Sequence, residues 1–365
     1  MPLPSLADAW FSTDVNKRIE ETHLFREIHE QPETLQRLLD EADGPARELA
    51  RALERRRITH VVIAARGTSD NAGRYAQYVL GALNGLQVAL ATPSLFSIYD
   101  RPPRFHNALV LGISQSGQSP DIISVLAEAR RQGALTAVIT NAPASELAQQ
   151  GDFIIPIYAG EERSVAATKS YTGQLAAVAL LSAHLNGDNA LLRSLREAGA
   201  AVAGTLIMND AISAIAPRYR YMERCIVVGR GFNYATAFET ALKLKELTYT
   251  IVEPYSSADF LHGPLAMVER GFPVIVIAPA GKMTPVLQDF LQTVRQRRAE
   301  VIAVSDEPTI LEQARVPLAL PHTVPEWLSP ITAIIPGQLL ALHLAWTRDY
   351  DVDDPRAIQK VTETR

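Results

Sequence analysis

Three groups of residues in this chain have types and spacing that could do chemistry. The first is the stretch LGISQSGQSPD, Leu111 to Asp121, where an apolar run ends in Ser114, Gln115, Ser116 and Ser119. A helical pattern, IISVLAEARRQG, follows at once. The first backbone N–H groups of a helix lack intrahelical partners, and the helix dipole is positive there. A hydroxyl-rich turn at that place suits an anion such as a phosphate. Each hydrogen bond to a charged partner contributes roughly 1.5–3 kcal/mol, so four such groups could hold a phosphorylated metabolite without lysine or arginine. Ser119 before Pro120 also reads as a helix cap, but a cap needs one hydroxyl and the turn carries three. ARGTSDN, 65–71, ends another apolar run and adds Thr68 and Ser69.

The second group is charged. In FETALKLKELTY, 238–249, Glu239, Lys243 and Glu246 are spaced by four and three residues and share one helical face. On spacing alone, such a set is commonly a solvated ion pair. The apolar neighbours and the preceding GRGFN argue that the face is partly buried. The third group is dispersed: His262 in the turn FLHGPLA, 260–266, and Lys360 in the tail, a surface lysine by composition.

These groups need a frame. HVVIAA (60–65), ALVLGI (108–113), LTAVIT (135–140) and FIIPIY (153–158) are too continuously apolar for half-exposed strands. They alternate with helical patterns, which predicts βαβ units and parallel sheets. The order recurs. VVIAARGTS resembles CIVVGRGFN, and NALVLGISQSG resembles FPVIVIAPAG; Gly67 and Gly231 lie 164 residues apart, as do Gly117 and Gly281. A duplicated α/β unit follows. The second copy of the serine turn reads APAGKMTP and has no serine, so only one half is expected to carry the anion site. The predicted layout is a helical arm over 1–45, a first domain with the phosphate site over 46–190 and a helical linker over 191–220. A second domain over 221–348 and a charged tail over 349–365 complete it.

The bulk properties narrow the function. The chain has 365 residues, 47% hydrophobic and 21% charged, with a formal net charge of −5. An acidic balance argues against nucleic acid as a partner, and RALERRR, 51–57, reads as a solvated helix face. One cysteine, Cys225, allows no internal disulfide, which fits a reducing, cytoplasmic setting. The start, MPLPSLADAWFSTD, lacks the pattern of a secretory signal. No apolar stretch is expected to approach the ~18 residues of a membrane span, so no membrane partner is expected. The eight histidines are scattered, with no HxxxH or CxxC spacing, so neither a metal nor another cofactor is expected.

Taken together, REIHEQP (26–32), GTS, SQSG, VAATKS (165–170), ALKLKE, HGPLA and the tail DVDDPRAIQK resemble the sugar isomerase (SIS) family. The likeness is greatest to the isomerase half of the glutamine:fructose-6-phosphate aminotransferases and to stand-alone SIS-type glucosamine-6-phosphate deaminases. SQSG marks the superfamily; ALKLKE with HGPLA and the tail is more specific. The resemblance implies two tandem SIS domains, each a flavodoxin-like parallel sheet flanked by helices. It implies that Thr68, Ser69, Ser114, Gln115, Ser116 and Ser119 hold a sugar phosphate, with Val165 and Ala167 lining the same pocket. Glu246 is implied as the base moving a proton between C1 and C2, and His262 as the ring-opening residue, contributed across a homodimer interface. Lys360 is implied as the amine that can form a Schiff base with the open-chain ketose, and Glu239 and Lys243 as supporting groups. A carboxylate and a lysine can run aldose–ketose chemistry without a metal. Two departures stand out. Pro2 and the early REIHEQP leave no room for an N-terminal glutaminase, so glutamine is not the expected nitrogen source. The family's VASTK is VAATK, placing Ala167 where a serine is usual. The expected activity is glucosamine-6-phosphate deamination. A fructosamine-6-phosphate deglycase, an ammonia-dependent synthase and a non-catalytic sugar-phosphate sensor are the alternatives.

Overall fold

The computed structural model describes residues 18–356 and 358–360. The first half builds a five-stranded parallel sheet from β1 (His60–Ala64), β2 (Gln87–Leu90), β3 (Ala108–Ser114), β4 (Leu135–Thr140) and β5 (Phe153–Pro156). Their order is β2-β1-β3-β4-β5. The second half repeats it with β6 (Arg224–Gly229), β7 (Ile251–Ser256), β8 (Pro273–Ile277), β9 (Glu300–Ser305) and β10 (Val316–Ala319). The order there is β10-β9-β8-β6-β7, the same arrangement written from the other edge. β1 and β6 start 164 residues apart, the offset seen in the glycines. Two tandem α/β units with parallel sheets are therefore the architecture. All residues of β3 and β4 are buried, as continuous apolar runs between helical layers require.

One strand went unread in the sequence, and one expectation changes. β2, QVAL, is half exposed with an alternating burial pattern, so it lacked the continuous apolar signature that marked its neighbours. The helix Ser329–Thr347 is 19 residues long and carries no charged side chain. The expectation of no apolar stretch near the length of a membrane span is thus corrected. That helix has the length and hydropathy to cross a bilayer, but its apolar window is fully buried inside the protein. It serves as a core helix.

What positions the site is the contact between halves. One hydrophobic cluster runs from Leu24 through both units to Val352. At its centre the Gly67–Asn84 helix packs on the Tyr234–Thr248 helix, which packs in turn on Ser329–Thr347. The last contact is close: a Cβ at Gly337 would meet Thr240 Oγ1 at 2.5 Å. Gly67 and Gly231 occupy the same turn after β1 and β6, with φ of +52° and +63°, a region where only glycine is comfortable. The N-terminal helix His23–His29 also ties down the tail, because the N–H groups of His23 and Leu24 each donate to the Asp353 carboxylate at 3.0 Å. That carboxylate sits where the helix dipole favours negative charge.

Candidate active site

A pocket of about 330 Å³ opens at the carboxyl ends of β1 and β3. Open parallel sheets bind ligands at such strand ends. Thr68, Ser69, Ser114, Gln115, Ser116, Ser119, Val165, Ala167, Glu246 and Lys360 all line it. The turn after β3 is held from within: Ser114 Oγ accepts the Gly117 N–H at 3.0 Å. Ser119 is the N-cap of the Pro120–Arg131 helix, yet its hydroxyl makes no cap bond. Among the described residues the hydroxyls of Ser116 and Ser119 and the N–H groups of Gln115 and Ser116 have no protein partner. Such groups suit an anionic ligand.

Thr68 behaves differently from expectation. Its hydroxyl donates to Glu239 Oε1 at 3.0 Å and accepts from Lys243 Nζ at 3.2 Å. Its proton is committed to a carboxylate, so it is not a free phosphate donor as expected. Ser69 accepts from Gln174 Nε2 at 3.0 Å. The other oxygen-bearing end of Gln174, which also lines the pocket, is buried and unpartnered among the described residues.

The charged face of the Tyr234–Thr248 helix is not a solvated ion pair. Glu239 and Lys243 side chains are 0% and 1% exposed. Lys243 Nζ lies 2.6 Å from Glu246 Oε2 and 3.4 Å from Glu239 Oε1. Asn71 Nδ2 donates to Glu239 Oε2 at 2.7 Å. Burial pushes the Glu239 carboxyl up, and Lys243 and Asn71 partly offset that. Burial works against the Lys243 ammonium, but Glu246 and Glu239 outweigh it and raise its pKa. Lys243 thus stays charged and fixes Glu246, whose side chain alone of the three reaches the pocket, 23% exposed. The helix face comes from the second half and Thr68 and Asn71 from the first, so the site exists only where the halves meet.

The third wall is the loop after β5. Glu162 is buried, and its Oε1 accepts the N–H groups of Thr168 and Ser170 at 3.0 and 3.1 Å. Its Oε2 accepts Ser170 Oγ at 2.7 Å and Lys360 Nζ at 3.0 Å. Burial pushes the Glu162 carboxyl up; Lys360 and these hydrogen bonds more than offset it, and the pKa is lowered. Lys360 also donates to the Ser164 carbonyl at 2.6 Å. The tail lysine is therefore docked in the pocket wall rather than free on the surface. Glu27, from the N-terminal helix, grips the same loop by accepting the N–H groups of Arg163 and Ser164. Burial pushes its carboxyl up to about 7, against the Arg163 N–H and with help from Glu162.

The SIS domain family model matches residues 55–183 and 219–348. The chain belongs to the SIS domain family. Both matched segments coincide with the duplicated sheets. The chain is 35% identical over 351 residues to the glutamine–fructose-6-phosphate aminotransferase of Zymomonas mobilis, covering 92% of this chain and 58% of that protein. It therefore spans a little over half the length of such relatives. The solved C-terminal domain of the Francisella tularensis glucosamine-fructose-6-phosphate aminotransferase superposes with a TM-score of 0.83 at 28% identity, covering 93% of this chain and all of that one. A glucosamine-6-phosphate deaminase from Thermotoga maritima shares the fold, with a TM-score of 0.77 at 19% identity, covering 94% of this chain and all of that one.

Within this SIS chain one expected residue stands apart. His262 is exposed at the end of the short Ser257–Leu261 helix and does not line the pocket. Other lining residues escaped the sequence reading: Arg66, Ser170, Gln174, Ile358 and Gln359. Arg66 donates to Asp121 at 2.7 Å and brings a guanidinium to the serine turn, so the pocket is not built from hydroxyls alone. The arrangement combines an anion-binding turn, a carboxylate held by a buried ammonium, and a primary amine. It can bind a phosphate ester and move a proton at a carbon beside a carbonyl or imine.

Proposed function

We propose that this SIS chain is an amino-sugar-phosphate isomerase that deaminates glucosamine 6-phosphate to fructose 6-phosphate and ammonia. One observation carries the reading: Glu246 and Lys360 line the same pocket as the unpartnered Ser116 and Ser119 hydroxyls. In this reading the serine turn binds the phosphate and the open-chain sugar reaches toward Glu246. Glu246 takes the proton from C2 and delivers it to C1 while an amine proton passes to the C1 oxygen, so the aldehyde and amine become a C1 alcohol and a C2 imine. The Lys360 amine adds at C2, ammonia leaves, and a lysine imine remains. Water then adds at C2 and frees the lysine and fructose 6-phosphate. Lys243 holds Glu246 in place, and Glu239 and Thr68 hold Lys243. No metal enters these steps. His262 would act in ring opening from a second copy of the chain; its exposure beside Leu261 and Met267, 48% and 42% exposed, supports a homodimer with shared sites.

The reverse direction, with nitrogen supplied to fructose 6-phosphate, is the second reading, and the aminotransferase relatives favour it. Ammonia release from glucosamine 6-phosphate tests the chemistry that both directions share. Wild type is expected to release ammonia, and Glu246→Gln to lose ~10²–10⁴-fold in turnover, the usual worth of a positioned base, with fructose 6-phosphate affinity kept. No release by folded wild type would sink the deaminase reading. Undiminished release by Glu246→Gln would remove Glu246 as the base.

A further inference from the structure

Glu162 is a costly residue to bury. A carboxylate without water needs several donors to remain ionised, and this one has four. They divide by oxygen. Oε1 takes the N–H groups of Thr168 and Ser170, at the start of the Lys169–Asn186 helix. Thr168, the N-cap, makes no side-chain cap bond of its own, so Glu162 does the capping. Oε2 faces the other way, toward Ser170 Oγ and Lys360 Nζ. A cap needs only the first oxygen. The second serves the tail.

We propose that Glu162 is the positioning residue for Lys360, holding its amine at the pocket wall between its own Oε2 and the Ser164 carbonyl. Glu27 supports that dock. It grips the N–H groups of Arg163 and Ser164, and so fixes the segment whose carbonyl Lys360 meets. Neighbouring charges are accounted for: Lys169 is taken by Glu30 at 2.6 Å, and Arg163 by Glu161 at 2.7 Å. Among the described residues the dock thus holds one cation, Lys360. The inference rests on the reading that Lys360 reacts with the ketose: its nitrogen bonds C2, two of the three ammonium protons leave with the carbonyl oxygen as water, and a protonated C=N bond results.

That imine can be trapped by borohydride, which adds hydride at C2 and leaves a stable secondary amine on Lys360. The test is the trapping rate with fructose 6-phosphate, read by peptide mass, in wild type, Glu162→Gln and Glu27→Gln. Glutamine at 162 can keep the capping oxygen but presents an amide to Lys360. Glu162→Gln is expected to trap at least ~10-fold more slowly, since small misplacements of a reacting group cost this much or more. Its affinity for inorganic phosphate and its melting temperature should stay near wild type. Trapping at the wild-type rate would overturn the proposal, as would a loss of phosphate affinity that matches the loss of trapping. Should Glu162→Gln fail to fold, Glu27→Gln is expected to slow trapping by a smaller factor, and an unchanged rate there overturns the proposal. Absence of trapping in wild type is a different result: it removes the imine role of Lys360 itself.

Discussion

The two halves each place a strand-to-helix turn at the same point of the same sheet and use it differently. After β3, the turn has Gly117 at φ +64° and leaves the N–H groups of Gln115 and Ser116 without protein acceptors among the described residues. After β8, the chain satisfies its own turn. Ala280 N–H donates to Asp306 at 2.7 Å, and Lys282 N–H to Glu326 at 3.0 Å. Gly281 N–H donates to Thr284 Oγ1 at 3.0 Å, and a Cβ at Gly281 would strike the Glu326 carboxyl at 2.3 Å. Carboxylates of the protein thus occupy the second turn, where the first is open. The anion-seeking backbone belongs to the fold. Whether it binds a ligand depends on whether side chains have already filled it. The second half, freed of that role, supplies the charged helix face instead.

This contrast can be broken at either turn. The largest effect is expected in the first. Ser116→Ala with Ser119→Ala removes two donors to a dianionic ligand, each worth roughly 1.5–3 kcal/mol, so fructose 6-phosphate affinity by calorimetry should fall at least ~100-fold. A fall under threefold would mean that Arg66 and the backbone, not the hydroxyls, hold the phosphate. A middle effect concerns the loop on the third wall. The folded state raises the Glu27 pKa from 4.5 to about 7, so it holds that proton more tightly than the unfolded chain does. The associated stability is complete below pH ~4.5 and is lost as pH rises through ~7. Melting temperature should therefore fall more between pH 5 and 8 in wild type than in Glu27→Gln; parallel curves would show that Glu27 does not titrate in this range. The smallest effect is expected in the second turn. Glu326→Ala should leave fructose 6-phosphate affinity within about twofold and cost about 1 kcal/mol of stability, the net worth of a hydrogen bond. Binding stoichiometry should stay at one phosphate per chain. A second phosphate would show that an empty turn suffices and that the serines only reinforce it.

Much of this is legible in the sequence alone. The buried strands β1, β3 and β4 announced themselves because burial on both faces demands unbroken apolar runs. The 164-residue offset revealed the duplication because Gly67 and Gly231 take the same left-handed turn after β1 and β6. The serine turn was legible because its hydroxyls exceed what a helix cap uses. Other features were not. β2 is short and half exposed, so its pattern carries little signal. Arg66 looked like any arginine until the turn of Asp121 came beside it. Glu27 and Glu162 lie 135 residues apart in charged stretches that read as surface. Thr68 was read as a phosphate donor because nothing in ARGTSDN reveals that Glu239 will claim its proton.

By itself the sequence determined the periodicities, the duplicated α/β order and the chemical types available at each strand end. Those are local properties, set by side-chain alternation and backbone torsions over a few residues. The tertiary structure alone decided which charges meet. Lys243 is a buried, shared ammonium only because the Gly67–Asn84 helix covers it with Thr68 and Asn71. Lys360 is a docked amine only because Glu162 and the Ser164 carbonyl lie across the chain from it. Burial and charge pairing depend on neighbours brought from distant sequence, and these control protonation and position.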